Sequence, residues 1–282
     1  MVIFKEKELL NPFISSRKQK GARVGFVPTM GALHQGHLSL VERALSENDL
    51  VVVSIFVNPT QFDNPQDLKK YPRIHEEDQK LLKTLKGEIV LFIPEANNLY
   101  GDSIKARRFT YDGLENQMEG ANRKGHFDGV GTVLSLLFSI VEPHRAYFGE
   151  KDFQQLQIVK KLVEKIALPI KIIGCPIVRE KNGLAMSSRN RRLSKEEFRE
   201  SAFIYDILTE VRARFTSESI ASLKKFVEVQ FLQHSMLELE YFEIANEKTL
   251  VPAIRKRKQN KYRAFIAVHC GNVRLIDNIA MY

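Results

Sequence analysis

The first 175 residues alternate short segments rich in β-branched residues with longer segments in which apolar residues recur at helical spacing. Several of the short segments are apolar throughout, which is typical of parallel strands that are buried on both faces. Strand and helix in repeated alternation predict an open parallel sheet with helices on both faces. The predicted strands cover residues 22–27, 50–57, 88–93, 145–148 and 170–173, and the predicted helices cover 37–46, 74–86 and 153–167.

The pattern changes after Cys175, where a loop poor in apolar residues is followed by helices and then by strands. We therefore expect a Rossmann-like α/β domain over 1–176 and a smaller C-terminal α+β domain over 177–282. In this second part the loop covers 179–192, the predicted helices cover 194–215 and 220–235, and the predicted strands cover 238–244, 262–270 and 273–276.

No segment of the 282 residues predicts a membrane anchor or an export signal. The longest apolar stretches, 50–57 and 130–141, are shorter than the ~20 apolar residues of a spanning helix. Lysines and glutamates occupy the N-terminal segment, where a secretory signal needs an apolar core. Cys175 and Cys270 have neither CxxC spacing nor nearby histidines, so we expect core residues rather than a disulfide or a zinc site. We expect a cytoplasmic protein.

The chain carries 43 Lys and Arg against 34 Asp and Glu, a formal net charge of +9. A basic excess suits either an anionic small substrate or a nucleic acid. Its most concentrated part is the run Arg255-Lys256-Arg257-Lys258. Because no aromatic residues interleave this run, a stacking interface with single-stranded nucleic acid is disfavoured. We interpret the run as a solvated loop before a strand rather than as a polyanion-binding patch.

The segment most suited to chemistry is Pro-Thr-Met-Gly-Ala-Leu-His-Gln-Gly-His over residues 28–37, which follows the first predicted strand and opens a helix. Ligands of open parallel sheets bind beyond the carboxyl ends of the strands. Gly31 and Gly36 permit close backbone approach, and the amides of the helix N-terminus favour an anion such as a phosphate. His34 and His37 share one side of the first turn and can donate to phosphate oxygens. Phosphate chemistry is favoured over structural histidines and over a metal site, which needs a third ligand.

Two familiar nucleotide-binding motifs are absent. In residues 120–127, His and Phe replace the Lys and the Ser or Thr of a P-loop. Residues 129–131 lack the third glycine of a dinucleotide-binding fingerprint. P-loop kinases and Rossmann dehydrogenases are therefore excluded as function classes.

Residues 54–62 place polar amides just beyond an apolar strand. Asn58 is interpreted equally well as a turn residue before a proline or as a ligand contact. Gln61 lies in an otherwise apolar context and needs a partner, which indicates a ligand contact.

Two later segments add charge and hydroxyl groups. In 148–155, Asp152 can cap the following helix, whereas the point charge of Lys151 at a strand end suits a phosphate. Residues 178–191 are dense in hydroxyl and guanidinium groups. They are either an interdomain linker or, together with the other clusters, a lid that closes on a nucleotide.

Six ordered motifs together resemble one known family. They read PTMGALHQGH, VSIFVNPTQF, GHFDGVGTV, FGEKDFQQL, GLAMSSRN and, over 274–278, RLIDN. Their order and spacing are similar to those of pantothenate synthetases, the pantoate–β-alanine ligases of the HIGH-type nucleotidyltransferase superfamily, over nearly the whole chain. In this resemblance residues 34–37 match the HxGH motif, and residues 186–189 take the place of the KMSKS-type loop.

The resemblance implies a two-step reaction on small-molecule substrates. The carboxylate of (R)-pantoate attacks the α-phosphate of ATP, which gives pantoyl adenylate and pyrophosphate. The amine of β-alanine then displaces AMP to give pantothenate, on the route to coenzyme A. The resemblance also implies a homodimer and Mg²⁺ on the phosphates, an ion that keeps waters and few protein ligands, so we assign no metal ligand.

The resemblance also implies site residues. The implied catalytic residues are His34, His37, Lys151 and Arg189, and His37 is the proton donor in the family. Pantoate is expected to contact Gln61 and Gln155, β-alanine is expected to contact Gln61, and Asn58 is a weaker match. The implied ATP-binding residues are Met30, Gly31, Ala32, Leu33, His34, Gln35, Gly36, His37, Gly149, Glu150, Lys151, Asp152, Val178, Met186, Ser187, Ser188 and Arg189.

Such a reaction needs no protein nucleophile, because positioned positive donors stabilise the charge that develops on the phosphates. Two alternatives remain at this point. One is a nucleotidyltransferase that acts on another acceptor, and the other is a nucleic-acid-binding protein that uses the basic run at 255–258.

Overall fold

The computed structural model describes residues 1–282, and the chain divides into two compact units. The predicted boundary at residue 176 and the predicted role of 177–282 as a lid stay predictions. Two short segments from within 1–176 group with the second unit. The first unit comprises Met1–Glu115, Glu119–Glu150 and Gln155–Pro176, and the second comprises Asn116–Met118, Lys151–Gln154 and Ile177–Tyr282.

The first unit is built on six strands, namely β1 (Val2–Phe4), β2 (Val24–Thr29), β3 (Leu50–Ile55), β4 (Ile89–Phe92), β5 (Arg145–Gly149) and β6 (Lys171–Cys175). They form one sheet in the order β1-β4-β3-β2-β5-β6, and every neighbouring pair is parallel. Every residue of β3 and β4 is buried, as expected for strands covered on both faces. The Rossmann-like parallel sheet that the sequence predicts is thereby confirmed.

Eight helices connect or extend these strands, namely α1 (Lys7–Gln19), α2 (Gln35–Glu47), α3 (Pro65–Lys70), α4 (His75–Leu82), α5 (Ala96–Tyr100), α6 (Met118–Asn122), α7 (His126–Val141) and α8 (Phe153–Lys165). The first residues of α6 and α8 group with the second unit. Six elements of this part of the chain were not predicted. Four of them are short, namely the three-residue edge strand β1 and the helices α3, α5 and α6, and the other two are α1, which lies before the first predicted strand, and α7, which is largely buried.

The strand order reverses between β2 and β5. From β2 the chain adds β3 and β4 on one side and then crosses to β5 and β6 on the other. Pairing of β2 with β3 continues to Thr29, whereas pairing with β5 covers only Gly25 and Phe26. Pro28, which has no N–H to donate, lies in the half of β2 that is paired on one side alone. Ligands of open parallel sheets bind at such a reversal, beyond the carboxyl ends of the strands.

The second unit contains a three-stranded antiparallel sheet of β7 (Leu237–Asn246), β8 (Tyr262–Cys270) and β9 (Val273–Ala280). Its other elements are α9 (Lys195–Glu200), α10 (Phe203–Arg214) and α11 (Ile220–Leu232). Leucine, isoleucine and valine side chains of the last two helices and of the sheet form one apolar cluster. This arrangement is the small α+β fold that the sequence predicts. No helix in residues 1–282 combines the length and the apolar composition that a membrane span requires.

The single helix predicted over 194–215 is wrong, because two helices occupy this segment. The first begins with a capping box, in which Ser194 and Glu197 satisfy each other's backbone N–H groups. It ends at Glu200, and the hydroxyl of the fully buried Ser201 donates to the Glu197 carbonyl 2.7 Å away. A serine that hydrogen-bonds four residues back in this way often bends or ends a helix.

Both cysteines are buried and free, and we expect them to react slowly in the native protein. Burial raises the pKa of Cys175 to about 11 and also raises the pKa of Cys270. Because the thiolate is the reactive form, a pKa near 11 leaves a fraction on the order of 10⁻³ at pH 8. A thiol-reactive dye at pH 8 should therefore label no residue within minutes in the native protein and two residues after unfolding. Rapid stoichiometric labelling of the native chain would contradict this packing.

Candidate active site

The first part of the site is the N-terminus of α2, at the carboxyl end of β2. The helix begins at Gln35, and His34 is its N-cap with an extended backbone. The Nδ1 atom of His34 accepts a hydrogen bond from the backbone N–H of Gly36 at 3.1 Å. In the neutral ring the proton therefore lies on Nε2. His34 thus caps the helix with Nδ1 and carries a hydrogen-bond donor on Nε2, and a donor is the group that an anion binds.

His37 lies beside His34 on the first turn of the same helix. The two ring centroids are 4.1 Å apart and the ring planes are tilted by 47°. Both side chains are partly exposed, whereas the adjoining Ala32 and Leu33 are fully buried. The buried pair therefore supplies backbone and packing, and the two imidazoles supply polar groups that a ligand can reach.

The turn before the helix is held by a buried carboxylate that the sequence analysis missed. Asp78 of α4 is fully buried, and its two oxygens accept from the backbone N–H of Ala32 at 3.0 Å and of Leu33 at 2.6 Å. Gly31 and Ala32 both have left-handed backbone conformations, with φ of +83° and +50°. Asp78 therefore fixes a turn that few residues adopt unaided. The available signal was an acidic residue at an apolar-stripe position of the predicted helix 74–86.

Removing this carboxylate should destabilise the protein strongly. Asp78→Ala leaves two buried N–H groups without their acceptor, so we expect a loss of about 2 to 5 kcal/mol in the free energy of unfolding. Asp78→Asn keeps one acceptor oxygen and should lose about half as much. Urea unfolding measures both, with Glu76→Gln, an exposed acid of the same helix, as the matched control. An Asp78→Ala variant as stable as that control would contradict the assignment.

Asn58 and Gln61 form the second part of the site, beyond the carboxyl end of β3. Asn58 is 1% exposed and caps the 3-10 turn Pro59–Gln61. Its Nδ2 also donates to the Gln61 side-chain oxygen at 3.0 Å. The Gln61 amide nitrogen donates in turn to the Met30 sulfur at 3.0 Å. Asn58 is thus both the turn residue and the group that orients Gln61, and the structure brings Gln61 to the loop after β2.

Gly129 explains part of the GHFDGVGTV motif. It lies on α7 where that helix packs against the Gln61 turn, and its carbonyl accepts from Asn58 Nδ2 at 3.2 Å. A Cβ at this position would lie 2.2 Å from the Thr60 carbonyl oxygen. Only glycine allows this approach, so the motif sets the position of the Gln61 turn.

The third part of the site follows β5. Gly149 is the last residue of the strand, Glu150 opens a 3-10 turn, and Gln155 is partly exposed on α8. Its neighbour Gln154 is 3% exposed and donates to the Gln117 carbonyl at 2.8 Å. Of the two adjacent glutamines, the structure therefore gives Gln154 a packing role and presents Gln155 on the surface.

In the second unit, the ammonium of Lys151 lies 3.6 Å from the Asp152 carboxylate, and its side chain is 18% exposed. The Lys151 backbone carbonyl accepts from Asn278 Nδ2 at 2.8 Å. Lys151 is thus held at its main chain, and a nearby carboxylate balances its charge.

The segment predicted as a loop over 179–192 is a hairpin followed by a 3-10 turn. Val178 and Met186 are joined by a backbone hydrogen bond of 3.0 Å, and Arg179 and Ala185 form an antiparallel bridge. We call residues 178–186 the site hairpin. After it, the Ser187 hydroxyl accepts from the Arg189 backbone N–H at 3.2 Å and caps the turn Ser188–Arg192. Ser188 is buried and the Arg189 side chain is partly exposed.

The basic run at 255–258 is exposed, and one of its lysines is also hydrogen-bonded to the main chain. The Lys256 ammonium donates to the carbonyls of Phe215 and Glu218, beyond the end of α10, and to Glu218 at 2.6 Å. A lysine bonded to helix-terminal carbonyls also complements the negative end of the helix dipole. Arg255, Lys256, Arg257 and Lys258 are all exposed, which agrees with the interpretation as a solvated loop, and the hydrogen bonds of Lys256 fix one point of it.

Comparison with known proteins gives one consistent relationship. The family model described as Pantoate-beta-alanine ligase matches residues 2–280. Pantothenate synthetase of Christiangramia forsetii is 54% identical over 281 residues, which cover 100% of this chain and 99% of that protein. Pantothenate synthetase of Flavobacterium psychrophilum is 53% identical, with complete coverage of both chains.

Solved structures agree. The crystal structure of pantothenate synthetase from Thermus thermophilus superposes with a TM-score of 0.92 at 38% identity and covers 100% of both chains. Pantoate-beta-alanine ligase from Francisella tularensis, solved in complex with beta-gamma ATP and beta-alanine, superposes with a TM-score of 0.79 at 35% identity and covers 100% of this chain and 98% of that chain. Together with the parallel sheet and the histidine-capped helix at its strand-order reversal, these matches show that the chain belongs to the pantoate–β-alanine ligase family, and that it is a ligase of pantothenate biosynthesis.

Proposed function

We propose that the chain joins (R)-pantoate to β-alanine through a pantoyl-adenylate intermediate, with ATP cleaved to AMP and pyrophosphate. The observation that carries the proposal is the N-terminus of α2, where Nδ1 of His34 accepts from the Gly36 N–H, so that Nε2 carries the proton of the neutral ring. A helix N-terminus flanked by two imidazoles favours the phosphates of a nucleotide. The Francisella relative, solved with an ATP analogue and β-alanine, supports the same substrates for this chain.

In the first step, a carboxylate oxygen of pantoate attacks the α-phosphorus, and the bond to the bridging oxygen of pyrophosphate breaks. Negative charge grows on the α-phosphate and on the leaving pyrophosphate, so positioned donors lower the barrier more than a protein nucleophile would. We assign this role to the α2 amides, His34 and His37, together with Lys151 and Arg189. His37 gives its proton to the leaving pyrophosphate.

In the second step, the neutral amine of β-alanine attacks the acyl carbon, AMP leaves with the former carboxylate oxygen, and the proton that the amine loses passes to water. Gln61 is proposed to hold pantoate and β-alanine, because Asn58 accounts for its side-chain oxygen, and its amide nitrogen has a second hydrogen to donate besides the one directed to Met30. Gln155 is proposed to hold pantoate. The other residues expected to contact ATP are Met30, Gly31, Ala32, Leu33, Gln35, Gly36, Gly149, Glu150, Asp152, Val178, Met186, Ser187 and Ser188.

Mg²⁺ is expected to arrive with ATP, because this ion fills its octahedral shell chiefly with phosphate oxygens and waters. Residues 1–282 contain no cluster of three or more His, Cys, Asp or Glu that could hold a metal ion, so the chain does not fit an all-protein cage and no step is assigned to a protein-bound metal. We also propose a homodimer in the cytoplasm, and light scattering of the purified chain tests the first part of that statement.

Isotope transfer tests the intermediate directly. If pantoate labelled with ¹⁸O in its carboxylate is consumed with ATP and β-alanine, the adenylate route places one label in the phosphate of AMP. Mass spectrometry of AMP is expected to show that label. ADP as the product, or AMP without label, would contradict the proposal. AMP formed without any requirement for pantoate would favour another acceptor.

A further inference from the structure

The RLIDN motif at 274–278 ends in two consecutive buried polar residues. Asp277 is 3% exposed and Asn278 is 1% exposed, although their neighbours Val273, Leu275 and Ile279 belong to the apolar core. Consecutive side chains of a strand point to opposite faces, so Asp277 shares the face of the core residues and Asn278 occupies the other face. Because buried polar groups need hydrogen-bond partners, the partners of each residue indicate its role.

Asp277 holds the base of the site hairpin. Its two carboxylate oxygens accept from the two terminal nitrogens of Arg179 at 2.6 and 3.0 Å. The Arg179 guanidinium also lies 3.7 Å from the centroid of the Tyr205 ring. Arg179 bridges Ala185, the last residue before Met186, so the ion pair fixes the strands that lead directly to Met186 and the residues after it. Because the loss of either partner would leave a buried charge unpaired, this ion pair holds the two segments together in one arrangement.

Asn278 holds the main chain of Lys151. Its Nδ2 donates to the Lys151 carbonyl at 2.8 Å, and its Oδ1 accepts from Arg263 Nη1 at 2.6 Å. Arg263 is fixed in turn by Glu247 at 2.9 Å and lies 4.0 Å over the ring of Phe153, two residues beyond Lys151. The Asn278 amide therefore holds the main chain of Lys151, and Arg263 fixes the orientation of that amide.

We propose that Asp277 and Asn278 are positioning residues that set Lys151 and the Arg189 segment for adenylate formation. The proposal rests on the proposed function, in which Lys151 and Arg189 act on the phosphates. A lysine side chain is long and flexible, so where its charge lies depends on where its main chain is held. A displacement of about 1 Å in such a group can cost on the order of 10²-fold in rate.

A double-mutant cycle tests the Asn278 half of the proposal. Asn278→Asp keeps the oxygen that accepts from Arg263 but replaces the donor to the Lys151 carbonyl with a second oxygen, which repels that carbonyl. It keeps the size of the side chain and is therefore less prone to misfold than Asn278→Ala. We expect Asn278→Asp to slow pantoate-dependent adenylate formation about 10-fold. In the Lys151→Ala background it should slow the reaction less than about 2-fold, because there is no ammonium left to position. Asn272→Ala, in the exposed turn before β9, is the matched control and should keep the wild-type rate.

The outcomes separate the possible roles. A wild-type rate for Asn278→Asp, or effects that multiply in the double variant, would overturn the proposal and leave Asn278 a fold residue. If the wild-type chain forms no adenylate, the proposed function fails. In that case the same cycle is measured on the dissociation constant of a non-hydrolysable ATP analogue. If Asn278→Asp weakens binding in the wild-type background but not in the Lys151→Ala background, positioning is supported. If the two fold-changes multiply in the double variant, positioning is overturned.

A second cycle tests Asp277. Asp277→Asn keeps the shape of the side chain but weakens the paired hydrogen bonds to Arg179. We expect it to slow adenylate formation about 10-fold in the wild-type background and less than about 2-fold in the Arg189→Ala background. Equal slowing in both backgrounds would overturn this half of the proposal.

Discussion

His37→Ala is expected to slow pantoate-dependent adenylate formation by about 10² to 10³-fold, or about 2.7 to 4 kcal/mol, as is typical when one donor to a developing charge is removed. The imidazole lies beside His34 at the start of α2, and the α2 amides are proposed to hold the phosphates already in the ground state. The effect should therefore fall mainly on kcat, with a smaller change in the KM for ATP.

The rate of pantoyl-adenylate formation in a single turnover, with enzyme in excess over ATP, measures this effect. His75→Ala removes an exposed histidine from α4 and serves as the matched control, with an expected rate equal to that of the wild type. Near-wild-type adenylate formation by His37→Ala would remove His37 from the mechanism.

Lys151→Ala is expected to slow the same step by about 10² to 10³-fold. Two opposite unit charges about 4 Å apart interact by about 4 kcal/mol at an effective dielectric constant of 20, which sets the upper limit of the loss. Lys151→Arg keeps the charge but changes the shape of the donor group, so it should recover part of the rate. Because the charge is partly exposed, the loss should shrink as ionic strength rises.

Rates of adenylate formation at low and high salt test this prediction. Lys160→Ala, which removes an exposed lysine from α8, is the matched control and should behave as the wild type. A Lys151→Ala rate within about 3-fold of the control at low salt would show that this charge does not face the transition state.

The parallel sheet, although not the order of its strands, could be predicted from the sequence because strands and helices each have a local pattern. Buried parallel strands are continuous apolar runs, and the amphipathic helices between them have a clear period, as in α2 and α8. Helices are harder to predict where they are buried, because burial on most sides removes the alternation of polar and apolar residues. α7 is buried over most of its surface and has only a narrow stripe of small polar residues, and the break at Ser201 depends on one side-chain hydrogen bond.

The candidate site also has a part that could be predicted from the sequence and a part that could not. Residues that follow strands, such as His34, Gln61 and Lys151, could be selected because the carboxyl edge of a parallel sheet is where ligands bind. The residues that hold them could not, because their contacts join distant parts of the chain. Asp78 lies 45 residues from the Leu33 amide that it accepts from, and Asn278 lies 127 residues from the Lys151 carbonyl. Neither separation leaves a periodic trace in the sequence.

The most direct test of the proposed mechanism is the exchange of labelled pyrophosphate into ATP, with Mg²⁺ and pantoate present and β-alanine absent. Reversible adenylate formation predicts exchange that requires pantoate and that falls in the His37→Ala and Lys151→Ala variants. Exchange that proceeds without pantoate, or none at all in a well-folded preparation that binds ATP and pantoate, would contradict the adenylate mechanism.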